Sequence, residues 1–185
     1  MLKLQNVSVN FGGDAVIDNF SAEISHGITA LLGASGKGKT TLLRTIAGLQ
    51  EYSGKIDGVK GKKIAMAFQD YRLFPTLTAK ENVAITLSKN IDLERLLLDL
   101  EVSEFADKKP HELSGGMKTR VSLARALGTD SDIILLDEPF AALNTKLKQR
   151  LAENMMPYLK DKIVVLVSHN KSDFELLRTD YTINL

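Results

Sequence analysis

The stretch from Ile28 to Thr41, Ile-Thr-Ala-Leu-Leu followed by Gly33-Ala34-Ser35-Gly36-Lys37-Gly38-Lys39-Thr40-Thr41, restricts the possible folds more than any other part of this chain. A short, mostly apolar run makes a buried strand, and the glycines after it let the backbone turn tightly. From about Lys39 the apolar spacing becomes that of a helix, which Gly48 closes. A strand that feeds a helix through glycines belongs to α/β folds, where strand ends and helix N-termini meet along one edge of a parallel sheet.

The same loop matches G-x-x-x-x-G-K-[ST], with Gly33, Gly38, Lys39 and Thr40 at the fixed positions. Glycines let successive N–H groups point at one anion, the helix adds the positive end of its dipole, and Lys39 adds a point charge. Together they suit a triphosphate. The Thr40 hydroxyl has two readings, as a ligand to a Mg²⁺ bridging the phosphates or as a helix-cap residue.

The rest of the chain has the pattern such a fold needs. Leu2, Leu4, Val7, Val9 and Phe11 alternate, as do Val16 to Ile24 more loosely, which predicts a hairpin turning at Phe11-Gly12-Gly13-Asp14. Two short strands are expected between Gly54 and Gln69, the second, Ile64 to Gln69, buried on both faces. Helices are expected over 78–87 and 92–100, and another after Ser114, striped by Met117, Val121, Ala124 and Leu127 and capped by Gly128. Residues from about 70 to 127 thus form an inserted helical subdomain ending in the helix after Ser114. The runs Asp132 to Pro139 and Lys162 to His169, on either side of a helical stretch over 144–159, complete a β-α-β order. One α/β domain over 1–185 is expected.

Composition removes several function classes. The 24 basic and 23 acidic side chains nearly cancel and form no basic tract, so nucleic acid is not an expected partner. There is no cysteine, which excludes disulfides and thiolate metal sites and fits a reducing compartment such as the cytosol. Met1 leads directly into the first strand pattern, so neither a signal segment nor a membrane span is expected, and any membrane association comes through a partner.

Further candidates gather at strand ends. Asp137 and Glu138 close the run Ile-Ile-Leu-Leu, where open α/β sheets bind ligands. They read either as a Mg²⁺ ligand and a water-activating base, or as acids favoured by a helix N-terminus before Pro139. Gln69 and His169 also end strands and reach the same crevice, although each alone reads equally as a surface or capping residue. Ser114, Gly115 and Gly116 offer a hydroxyl and open N–H groups at a helix start, a second anion site. One triphosphate has little use for two such sites in one molecule, but in a symmetric dimer each chain can complete the other's site.

The order "GASGKGKTT", "FQD", "LSGGM", "ILLDEP" and "SH", between Phe11 and His169, resembles the ATP-binding subunits of ABC transporters. The resemblance implies a P-loop NTPase fold of the ABC ATPase type: a RecA-like core, an antiparallel β subdomain and a short inserted helical subdomain. It implies that Phe11 stacks on adenine, that residues 33 to 41 bind the phosphates of ATP, and that Thr40, Gln69 and Asp137 hold Mg²⁺. Glu138 would be the catalytic base, with His169 contacting the γ-phosphate and Lys39 the third catalytic residue. Ser114, Gly115 and Gly116 would close over the ATP of a second nucleotide-binding subunit, in a homodimer or a heterodimer.

Residues Phe68 to Val83 resemble the importer segment that joins the Mg²⁺ ligand to a membrane permease, contacted here through Tyr71 to Phe74. That implies a small-solute importer working peripherally on the inner face of the cell membrane. Two residues depart from the family pattern: Met117 stands where Gln is usual, as in importer ATPases of the nitrate, sulfonate and taurine type, and Asn144 stands where Asp is usual. The inserted subdomain is also short for the family, and no regulatory domain is expected after the final strand. Two other readings remain from the sequence, a non-transport ABC ATPase and an ATP-dependent clamp with slow or no turnover.

Overall fold

The computed structural model describes residues 1–12 and 14–185, so Gly13, at the tip of the expected hairpin, lies outside the described residues. Three strands, β1 (Leu2–Phe11), β2 (Asp14–Ile24) and β4 (Ser53–Asp57), form an antiparallel sheet in the order β2-β1-β4. Five others, β3 (Gly27–Leu32), β5 (Ile64–Ala67), β6 (Ile133–Asp137), β7 (Ile163–Val167) and β8 (Tyr181–Asn184), form a parallel sheet in the order β5-β6-β7-β3-β8.

Every residue of β6 and β7 is buried, which explains why their sequences are continuous apolar runs. Alternate residues serve two cores. Ile134, Leu136, Val164 and Leu166 face one cluster, built with the helices α2 (Ala79–Ala84), α3 (Leu93–Asp99), α4 (Gly115–Leu127) and α5 (Thr145–Leu159). Ile133, Leu135, Ile163, Val165 and Val167 face the other, closed by helix α1 (Lys39–Ile46) and the antiparallel sheet. A last helix, α6 (Lys171–Leu176), follows β7.

Some element boundaries differ from expectation. Strand β5 stops at Ala67, and its residues Ile64 and Met66 are only half-buried. It lies at the sheet edge with β6 as its single partner, so one flank lacks the cover that a central strand receives. Helix α2 ends at Ala84 rather than Leu87, and Thr78 and Glu81 close a capping box at its start. Gly128 does cap α4, but with φ −71 it uses no left-handed geometry. Space explains the glycine: a Cβ there would lie 2.9 Å from Leu96 Cδ2. Among the described residues no helix is long and apolar enough to cross a membrane.

Candidate active site

Helix α1 starts without a side-chain cap. Its N-cap is Gly38, at φ 85, a left-handed conformation that costs any residue with a Cβ about 1–2 kcal/mol. A Cβ on Gly38 would also sit 3.0 Å from Val16 and Ile17, so the loop lies tightly on β2. The first N–H groups of α1 are left for a ligand. Lys39 is 5% exposed, and its Nζ donates to the carbonyls of Gly33 at 2.8 Å and Ala34 at 2.9 Å. The ammonium therefore rests across the mouth of its own loop.

Asp137 and Glu138 end β6 beside this loop. Thr40 Oγ1 donates to Asp137 Oδ1 at 3.0 Å, while Asp137 Oδ2 is buried with no hydrogen-bond partner. Burial pushes the Asp137 carboxyl above the ordinary carboxylate range, against the opposing effect of the Thr40 hydroxyl. A buried, unpartnered carboxylate oxygen next to a hydroxyl, with the Gln69 amide in the same pocket, is a hard oxygen donor set that fits Mg²⁺.

Glu138 has φ 52, a strained backbone for a non-glycine residue, held by its N–H donating to Val167 O at 2.9 Å. Its Oε1 is buried without a hydrogen-bond donor, and His169 Nε2 stands 3.5 Å away. Burial raises the Glu138 carboxyl too, and the nearby imidazole opposes this. Gly36, Gly38, Lys39, Thr40, Thr41, Gln69, Glu138 and His169 line one pocket of about 190 Å³ at the carboxyl edge of the parallel sheet. Open α/β sheets bind their ligands at this edge.

Other expected residues lie elsewhere. Phe11 ends β1 with 49% exposure and does not line this pocket. Ala34, Ser35 and Lys37 lie on the loop before α1, Ser35 and Lys37 exposed. Ser114 caps α4, its Oγ accepting from Met117 N at 3.3 Å. Gly115 is exposed, and a Cβ on Gly116 would approach Ala142 O to 2.9 Å, so that glycine also lets α4 pack on its own chain. Met117 packs against the larger core, and Asn144 caps α5 by accepting from Leu147 N at 3.0 Å.

Two side chains that hold the segment after Gln69 were not anticipated. Arg125 of α4 is 8% exposed and donates to Arg72 O at 2.7 Å and Tyr71 O at 2.8 Å. These neighbours have φ 59 at Tyr71 and φ 46 at Arg72, two successive left-handed residues that a buried guanidinium keeps in place. Asn82, fully buried, accepts from Phe74 N at 2.7 Å and donates to the carbonyls of Phe74, Leu77 and Thr78. The only sequence signal was a charge and an amide beside apolar helix positions.

Residues 17–141 match the ABC transporter family. The chain belongs to that family. Among relatives of this ABC protein, the probable sulfate/thiosulfate import ATP-binding protein CysA of Chlorella vulgaris is 39% identical over 192 residues, covering 92% of this chain and 81% of its own length. The aliphatic sulfonates import ATP-binding protein SsuB 1 of Pseudomonas savastanoi pv. phaseolicola is 36% identical, over 90% of this chain and 74% of its own. The putrescine transport ATP-binding protein PotG of Escherichia coli K12 is 36% identical over 94% of this chain, which spans 52% of that relative.

A solved dimeric structure of the ATP-binding cassette MJ0796, in a post-hydrolysis state bound to ADP and Pi, superposes with TM-score 0.84 at 29% identity, covering 100% of this chain and 94% of that one. The α/β fold of the ABC ATPase type is therefore met, as is the likeness to import ATP-binding subunits.

Proposed function

We propose that the chain is the ATP-hydrolysing motor subunit of a small-solute importer, working as a dimer around two Mg-ATP and driving a separate membrane permease. The observation that carries this reading is the convergence of Lys39, Thr40, Glu138 and His169 on one pocket, with Asp137 bonded to Thr40 behind it. ATP draws Lys39 from the Gly33 and Ala34 carbonyls onto its phosphates, while the N–H groups at the start of α1 cradle the chain of oxygens. Thr40, Asp137 and Gln69 hold Mg²⁺, which neutralises phosphate charge when bound.

Glu138 takes a proton from water, whose oxygen attacks the γ-phosphorus as the bond to the bridging oxygen breaks, and ADP and phosphate leave. His169 donates to a γ-phosphate oxygen. Ser114 and the N–H groups of Gly115 and Gly116 serve the ATP held by the second subunit, and Phe11 stacks on adenine. Beside Tyr71 to Phe74 a groove of about 370 Å³, lined by Leu49, Met66, Phe68 and Phe74 among others, supports the permease contact. On this reading the working protein sits on the inner face of the membrane. The named relatives, import and transport proteins for sulfate, sulfonates and putrescine, support the importer class.

Steady-state phosphate release from ATP tests the reading. Lys39→Ala is expected to lower it by about a hundredfold or more, the usual loss when a donor to transition-state charge is removed. Equal release from the two proteins would overturn it.

A further inference from the structure

Behind the carboxylates lies an ion pair that the proposed chemistry leaves unused. Lys148, in the first turn of α5, pairs with Asp173 of α6 at 3.0 Å, with the two side chains only 14% and 3% exposed. The other Asp173 oxygen accepts from Ser168 Oγ at 2.7 Å, and Ser168 is itself 6% exposed at the end of β7. Ser168 Oγ in turn accepts from Asn170 N at 3.0 Å and stands 3.5 Å from Glu138 Oε2.

A hydroxyl carries one proton. Asp173, at the shorter distance and paired with Lys148, accepts it, so Glu138 gains no strong donor from Ser168 and keeps its oxygens for water. Ser168 and Asn170, the residues on either side of His169, are both tied to this network, which leaves the imidazole on a backbone fixed before and after it. Helix α5, which carries Lys148, is capped by Asn144, so the loop between Glu138 and α5 closes a ring: Glu138, Asn144, Lys148, Asp173, Ser168, Glu138.

Resting on the ATPase reading above, we propose that Ser168, held by the Asp173–Lys148 pair, is a positioning residue for hydrolysis that sets His169 and keeps Glu138 free to accept a proton from water. Misplacement of reacting groups by about 1 Å costs roughly a hundredfold in rate. Ser168→Ala and Asp173→Asn are therefore each expected to lower kcat roughly ten- to a hundredfold, with KM for ATP within about twofold. Their double variant should lose no more than the worse single one, because both act through one hydroxyl. Ser168→Thr keeps the hydroxyl and is expected to keep most of the rate.

A second readout needs no turnover. The chain has three histidines, so the His169 ring proton signal is assigned by its loss in His169→Gln. Without nucleotide, Ser168→Ala and Asp173→Asn should each move that signal in a protein that still melts cooperatively. A kcat for Ser168→Ala within twofold of the parent, or a His169 signal unmoved in both variants, overturns the proposal. Phosphate release from the parent no faster than from Lys39→Ala sinks the ATPase reading instead, and the His169 signal still decides the positioning.

Discussion

Two helices in this molecule start with glycine, and they start differently. Helix α1 has Gly38 at φ 85 and no capping side chain, and its first turn opens into the pocket with Lys39, Thr40 and Glu138. Helix α4 has Ser114 as a cap, its hydroxyl already accepting from Met117 N, and Gly116 lies against Ala142. Glycine in the first case supplies left-handed backbone beside the pocket. In the second it supplies room for the chain's own loop. On the proposed function the α1 end binds its anion within one chain, while the α4 end, tied to the loop between Glu138 and Asn144, serves a ligand held by a second subunit.

The largest expected contrast comes from adding a methyl group at each start. Gly38→Ala forces a Cβ into left-handed backbone against Val16 and should weaken ATP binding by the isolated chain roughly five- to thirtyfold, from a strain of about 1–2 kcal/mol. Gly116→Ala should leave ATP binding by the monomer unchanged while lowering stability. Titration with a fluorescent ATP analogue reads both, and equal losses would erase the distinction.

Arg125→Met, which removes two charged hydrogen bonds from the Tyr71 and Arg72 carbonyls, should cost about 3 kcal/mol in urea unfolding. An unchanged midpoint would show that Arg125 does not hold that loop.

The electrostatic side of the comparison is read from pH. Burial raises the Glu138 carboxyl above its ordinary value of 4.5, so folding disfavours its charged form. The resulting loss of stability is absent below 4.5 and fully present above the raised folded value. In nucleotide-free buffer with a chelator, Glu138→Gln should melt higher than the parent at pH 7, and the gain should vanish toward pH 4. A gain independent of pH would mean that charge burial is not its source.

The smallest effect belongs to the cap. Ser114→Ala should cost about 1 kcal/mol, or a few degrees in Tm, with no change in ATP affinity of the monomer.

Much of this was legible in the sequence because it rests on local rules. The run Ile28–Leu32, the loop to Thr41, Asp137 at the end of β6 and His169 just beyond β7 reveal their places through apolar length and glycine spacing. The pairing of Thr40 with Asp137 across 97 residues follows once both are set on one sheet edge. Arg125 and Asn82 were not legible, since their partners are backbone carbonyls and an N–H, which any sequence supplies. The Lys148–Asp173–Ser168 network joins two helices and a strand end that only the packed structure brings together. The packing of Gly116 on Ala142 was hidden for the same reason.

The central claim is that the α1 end holds ATP in one chain and the α4 end completes the site of another. Light scattering of Glu138→Gln, with Mg-ATP and separately with ADP, tests it most directly, because loss of the proposed base should trap the closed pair. The account predicts a doubled mass with Mg-ATP only, lost again when Ser114→Arg is added. A monomer under both nucleotides, with ATP binding confirmed, would contradict it.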